Sequence, residues 1–198
     1  YIFLISWTAA IIVGVLLGIF ITRPGKEKAG KVVLSITGAA QAVPSIAVIA
    51  LIFIFLGIGA LPAIVALFIY SLVPIVFNAA SGLLNVDPAV KESARGMGMS
   101  NSQILRKVEL PLVIPTMFSG IRTAAVINIG TATIAATIGA GGLGEIILLG
   151  LRMMSYPKIL AGAIPVTLLA IAVDITLAKI QKRIISPGLK ILQEGRSF

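Results

Sequence analysis

Five apolar runs divide the chain, at residues 1–22, 32–56, 60–84, 112–138 and 159–179. Each is long enough to cross a hydrocarbon core of about 30 Å as a helix rising about 1.5 Å per residue. The runs are continuously apolar and lack the polar-in, apolar-out alternation of barrel strands, so they predict helices. Residues 127–138 are rich in Ile and Thr and suit a strand equally by composition. An open strand in lipid leaves its backbone unsatisfied, which favours helix there too. The second and third runs meet at Gly57-Ile58-Gly59-Ala60-Leu61-Pro62, an uncharged turn that predicts a tight helical hairpin. The pattern is that of an all-α integral membrane protein: five transmembrane helices in one domain spanning 1–198, with a loop at 85–111 and a tail at 180–198.

Composition agrees. Of 198 residues 58% are hydrophobic and 12% charged, and the mean hydropathy is +1.09. A soluble domain carries about 25% charged residues, so soluble enzyme folds are excluded on solvation grounds. The net charge of +9 does not require nucleic acid, because basic segments beside anionic lipid account for it. With no Cys and no His, disulfides, thiol catalysis and His metal sites are excluded, and no metal site is expected. The chain opens inside an apolar run, Tyr1-Ile2-Phe3-Leu4, without a basic segment before it. This reads as part of a first span rather than a signal peptide.

Charge also orients the spans. Arg23, Lys26, Lys28 and Lys31, then Lys91, Arg95, Arg106 and Lys107, then Lys179, Lys182, Arg183, Lys190 and Arg196 fall on one side of a five-span chain. The opposite side holds only Arg152 and Lys158. The positive-inside rule places Tyr1 outside and Phe198 in the cytoplasm.

The loop at 85–111 carries the most specific local signals. Asp87-Pro88 is a helix start, with Asp as cap and Pro at the first helical position. A short helix over 88–97 is predicted, with Gly98 where a positive φ is wanted. Ser100-Asn101-Ser102-Gln103 matches a capping box and opens a second short helix. Leu110-Pro111 is expected to stop that helix before the next span. From the residues alone, such a pair of helices serves equally as an amphipathic loop on lipid headgroups.

Glu92-Ser93-Ala94-Arg95-Gly96-Met97-Gly98, nine residues, then Val108-Glu109-Leu110-Pro111 resembles the EAA loop of ABC importer permeases. That pattern is Glu-Ala-Ala, three residues, Gly, nine residues, Ile, one residue, Leu-Pro; here Ser93 and Val108 replace two members by residues of similar size. The whole chain resembles the smaller type I importer permeases, a five-span, methionine-permease-like fold. The resemblance implies a coupling helix docked on a separate ATP-hydrolysing subunit. Glu92 and Gly98 would be anchor and hinge, and Ser93, Ala94, Arg95, Met99, Ser100, Arg106, Leu110 and Pro111 the rest of the ATPase-coupling surface. It further implies two nucleotide-binding ATPase subunits that use ATP and Mg, a second permease subunit (identical or related) and an external or periplasmic substrate-binding protein. The setting would be a bacterial cytoplasmic membrane. This chain has no Gly-x-x-x-x-Gly-Lys-Ser/Thr, and Gly25-Lys26 and Gly30-Lys31 lack the following hydroxyl residue. It therefore has nothing to cradle a nucleotide's phosphates, and a non-catalytic subunit binding no cofactor is expected.

Gln41-Ala42-Val43-Pro44-Ser45 and Gly139-Ala140-Gly141-Gly142-Leu143-Gly144-Glu145 resemble both osmoprotectant permeases (glycine betaine, carnitine, choline) and methionine permeases. Gln41–Ser45 and Ser186-Pro187-Gly188-Leu189-Lys190 resemble the osmoprotectant group more, with methionine permeases the alternative. Gly139-x-Gly141-x-x-Gly144 also fits a dinucleotide fingerprint literally. That fingerprint needs a preceding strand and an acid about 20 residues on, whereas the next acid after Glu145 is Asp174. Close helix packing and a turn at the outer mouth is the better reading.

Polar residues within spans mark either a pathway or hydrogen bonds between helices. Gln41, Ser45, Asn78, Asn128 and Thr131 are the path candidates, with Gln41 and Ser45 expected on one face of the second span. Thr133 belongs with them. Arg122 and Asp174, the charges within the last two spans, are expected to form an ion pair near the cytoplasmic face. Pro44, Pro74 and Pro165 are expected to kink their spans. A secondary transporter or channel is the competing class. It would be expected to carry ionisable groups at the midplane, and the span centres hold none.

Overall fold

The computed structural model describes residues 1–184, all helix and turn, with no strand among the described residues. The helices are α1 (Ile2–Ile21), α2 (Glu27–Ala40), α3 (Ser45–Leu56), α4 (Ala60–Leu84), α5 (Pro88–Gly96), α6 (Asn101–Ile104), α7 (Leu110–Ala135), α8 (Leu143–Arg152) and α9 (Tyr156–Ile184). A π-helical turn, Leu105–Glu109, joins α6 to α7, and a 3-10 turn, Ala136–Ile138, follows α7, making one rod from Asn101 to Ile138. Among the described residues, four helices are long and apolar enough to cross a membrane: α1, α4, this rod and α9. The pair α2 and α3 makes a fifth span if counted together.

α4 is the centre, with α1, α2, α3 and α7 packed around it. Its buried residues include Ala63, Ala66, Ser71, Ala79 and Ala80, small side chains that bring neighbouring backbones close. α1 meets it along Ser6, Ala10, Gly14 and Gly18, the four buried residues of that helix. They recur every fourth position, the small-xxx-small spacing by which membrane helices pack without help from water. A Cβ at Gly14 would stand 2.7 Å from Ile75 Cγ2, and one at Gly18 2.5 Å from Ala79 Cβ. Across the bundle, Trp7 Nε1 donates to Ile121 O at 3.1 Å. α9 lies at the periphery, burying only Gly162 and Leu177.

Two sequence expectations are corrected. The second span is not one helix over 32–56: α2 and α3 meet at 99° across residues 41–44. Pro44 leaves no amide hydrogen for helix bonding and has ψ 133°, so the chain turns there and a new helix starts at Ser45. Gln41 and Ser45 therefore do not share a helix face; Gln41 is exposed in the break and Ser45 is half-buried at the start of α3. Second, Leu110-Pro111 does not stop the rod. Pro111 stands in the first turn of α7, and the π turn before it absorbs the change in hydrogen bonding. Pro74 and Pro165 lie within continuous helices.

The connections at the end of the bundle away from residues 85–111 follow the glycines. Gly57 and Gly59 have φ of 76° and 135°, and Gly59 N–H donates to Ile138 O at 2.8 Å, seating the α3–α4 turn on the end of the rod. Gly139, Gly141 and Gly142 all have positive φ and turn the chain into α8. Gly144 then packs on the backbone of Thr133. The cluster is a turn and a close contact, as its composition indicated. Ser186–Lys190, which carried part of the resemblance, lie outside the described residues.

Candidate functional site: the loop between α4 and α7 and the exposed face of α7

The loop is built as its sequence dictates. Asp87 Oδ1 accepts from Ala89 N–H at 2.8 Å, and Pro88 occupies the first position of α5. α5 ends in a Schellman arrangement. Gly98 N–H donates to Arg95 O at 2.9 Å and Met99 N–H to Ala94 O at 3.2 Å. The residue between needs a left-handed conformation, and Gly98 supplies it with φ 79°. Ser100 N–H then donates to Gln103 Oε1 at 2.8 Å and Gln103 N–H to Ser100 Oγ at 3.3 Å, a complete capping box.

These caps leave an exposed outer surface comprising Glu92, Ser93, Arg95, Met97, Ser100 and Arg106. Met97 is 74% exposed, a large apolar side chain at the tip of a charged loop. Ala94 turns inward and is 1% exposed. Met99 and Leu110 are half-buried, and Pro111 is exposed at the base.

One group at the base was not among the sequence candidates. Glu109, 7% exposed, holds Arg23 Nη1 at 3.0 Å and Lys91 Nζ at 3.3 Å. Glu109 stood inside the Val-Glu-Leu-Pro segment, at the position where the motif admits any residue. The available signal was that it is the only acid between Glu92 and Glu145.

The polar residues of the spans divide into two groups. Asn128 is 1% exposed and joins three helices: its Nδ2 donates to Ser6 Oγ of α1 at 3.0 Å and Ser71 Oγ of α4 at 2.7 Å. Thr131 is 5% exposed. Both are packed in the bundle core. Asn78, half-buried, donates to Pro74 O of its own helix at 2.8 Å. Gln41 is exposed, and Ser45, Asn78 and Thr133 are half-buried.

The opposite face of α7 is polar and open. Thr116, Ser119, Thr123 and Gly130 are exposed along it, and Ser119 lies nine residues from Asn128, two and a half turns away. Ser119 and Thr123 line a groove of about 440 Å³ with Arg122, Ile127 and Asp174. Ile127 also borders a smaller hollow holding Gln41 and Tyr70, whose hydroxyl donates to Val43 O at 3.2 Å. Arg122 Nη2 meets Asp174 Oδ1 at 2.8 Å and Oδ2 at 3.0 Å, and Arg122 Nη1 donates to Gln181 Oε1. The ion pair between the last two spans is present as expected.

Comparison with known proteins follows the same lines. Residues 14–186 match the family of binding-protein-dependent transport system inner membrane components. The chain is 42% identical over 98% of its length to the glycine betaine/carnitine/choline transport system permease protein OpuCB of Bacillus subtilis, covering 88% of that protein. It is 44% identical over 94% of its length to the carnitine transport permease protein OpuCB of Listeria monocytogenes, covering 87% of it. Among solved structures, an inward-facing form of the MetNI methionine ABC transporter superposes with a TM-score of 0.79 at 23% identity, over 93% of this chain and 92% of that one. That likeness establishes a type I ABC importer permease fold. A bundle of four to five apolar spans in this fold, carrying this loop and matched over nearly its whole length, belongs to the binding-protein-dependent transport system inner membrane components.

Proposed function

We propose that this chain is the permease subunit of an ATP-driven, binding-protein-dependent importer of osmoprotectants such as glycine betaine, carnitine or choline. The carrying observation is the loop at 85–111, whose residues keep the spacing of the EAA pattern, whose Glu92, Ser93, Arg95, Ser100 and Arg106 are exposed, and whose chain holds no nucleotide-binding motif. The names of the relatives above support the solute class. In this reading two ATPase subunits dock on that surface and use ATP and Mg, and a second permease subunit completes the channel. An external binding protein delivers the solute. The loop and tail face the cytoplasm of a bacterial cell, with Tyr1 outside.

The path runs along the exposed face of α7, past Ser119 and Thr123, with Gln41 and Ser45 beside the break between α2 and α3. These groups are uncharged, and the Arg122 and Asp174 that share the groove neutralise each other as an ion pair, so a zwitterion or quaternary ammonium passes without a deep well to hold it. Selectivity then resides in the binding protein, because no cage of aromatic rings lines either hollow.

The test is reconstitution of the complete complex in proteoliposomes with the binding protein enclosed on the outer side. ATP-dependent accumulation of labelled glycine betaine, carnitine or choline is expected. Accumulation of methionine alone would overturn the solute class, and accumulation without the ATPase would overturn the importer reading.

A further inference from the structure

Glu109 joins four helices at one end of the bundle. It ends the π turn that opens α7, and its two oxygens are divided between two cations. Each cation also holds the C-terminal end of another helix. Arg23 Nε donates to Ile19 O in the last turn of α1 at 3.0 Å. Lys91 Nζ donates to Leu83 O in the last turn of α4 at 3.1 Å. A helix C-terminus carries about half a negative charge, so two helix ends and one carboxylate balance the two cations in a nearly buried place. Lys91 belongs to α5, next to Glu92, yet it points into the bundle while Glu92 faces out.

α5 has few other ties to the bundle. Ala94 is its only buried residue, and beyond Gly98 the chain is half-buried at Met99 and exposed from Ser100 to Gln103. The polar link from α5 to the spans therefore runs through Lys91 and Glu109. A π turn beside it supplies a helix segment whose bonding register differs from its neighbours, a common feature at functional positions.

We propose that Glu109 is the positioning residue of the loop: held between Arg23 and Lys91, it fixes the angle of α5 against the ends of α1, α4 and α7, so that a push on α5 moves those helices together. This rests on the reading of residues 85–111 as the ATPase contact. Two discrete packings of such a node, made or broken by the push, would convert a docking event into a change of the bundle.

The test uses the complete complex in proteoliposomes and reads solute transported per ATP hydrolysed. Lys91→Gln leaves the Arg23–Glu109 pair in place and releases α5. It is expected to lower the ratio about tenfold, within the usual range of coupling energies, while the inserted chain and the copurifying ATPase stay at parental amounts. Lys91→Arg, which keeps the charge and the donors, is expected to restore the ratio. Glu109→Gln is expected to act in the same direction; should it fail to insert, Lys91→Gln decides. A parental ratio in Lys91→Gln overturns the proposal, and so does loss of the ATPase from that variant, which would make Lys91 part of docking. Arg95→Glu on the exposed surface separates the two readings. Loss of the ATPase in Arg95→Glu with a parental ratio in Lys91→Gln removes the node alone; full ATPase and full uptake in Arg95→Glu remove the coupling surface beneath it.

Discussion

Replacing Asn128 by Ala and by Leu separates a core hydrogen-bond hub from a pathway group. Asn128→Ala removes the bonds to Ser6 and Ser71, both between helices. Interhelical bonds in membranes average about 0.6 kcal/mol, giving about 1.2 kcal/mol for two. The lost side-chain atoms leave a void that adds about 1 kcal/mol, for a total near 2 kcal/mol. Both variants also remove Asn128 Oδ1, a buried acceptor with no partner among the described residues, which gives back part of either loss; Leu in addition fills the void. The predicted order of stability is parent, then Asn128→Leu, then Asn128→Ala, with uptake per inserted complex close to parental in Asn128→Leu. The assay pairs thermal unfolding in detergent with uptake in proteoliposomes. Parental stability in both variants together with a collapse of uptake would refute the hub and return Asn128 to the path.

Three further outcomes follow from the same geometry. Gly18→Leu puts a Cβ 2.5 Å from Ala79 Cβ; parting α1 from α4 should cost about 1–3 kcal/mol, read by the same unfolding assay. Thr123→Leu narrows the groove it lines, so uptake should fall while the melting temperature holds; a lower melting temperature with normal uptake would make it a packing residue. On this Cys-free chain, Ser102→Cys and Gly59→Cys should react with an impermeant thiol reagent from opposite sides of the membrane, and same-side labelling contradicts the topology.

The loop was legible in the sequence because its signals are local. Asp87-Pro88, Gly98 and Ser100-x-x-Gln103 each meet a backbone need within a few residues, and the structure closes every one of those bonds. Span existence was legible for the same reason, since crossing a bilayer is a matter of length and hydropathy. The break at Pro44 was not: a proline permits either a kink or a turn, and the outcome depends on α4, whose Tyr70 holds Val43 O. Helix phase was half legible. Spacing sets Ser119 and Thr123 against Asn128 and Thr131, but which side faces the bundle depends on α1 and α4. The stripe Ser6, Ala10, Gly14 and Gly18 was present in the sequence and would have marked α1's partner face. Glu109 could not be paired from sequence, because Arg23 lies 86 residues away and several other cations compete for it.

In the proposed importer a separate ATPase drives transport through the geometry set at Gly98. Val at that position must adopt φ 79°, a left-handed conformation costing about 1–2 kcal/mol for a residue with a Cβ, or let the cap open and swing α6 away. The direct measurement is ATP-dependent solute accumulation in proteoliposomes by the parental and Gly98→Val complexes at matched insertion. Accumulation that requires ATP and the binding protein is expected in the parent, and its loss in the variant. Accumulation driven by an ion gradient without ATP, or undiminished transport by Gly98→Val, would contradict it.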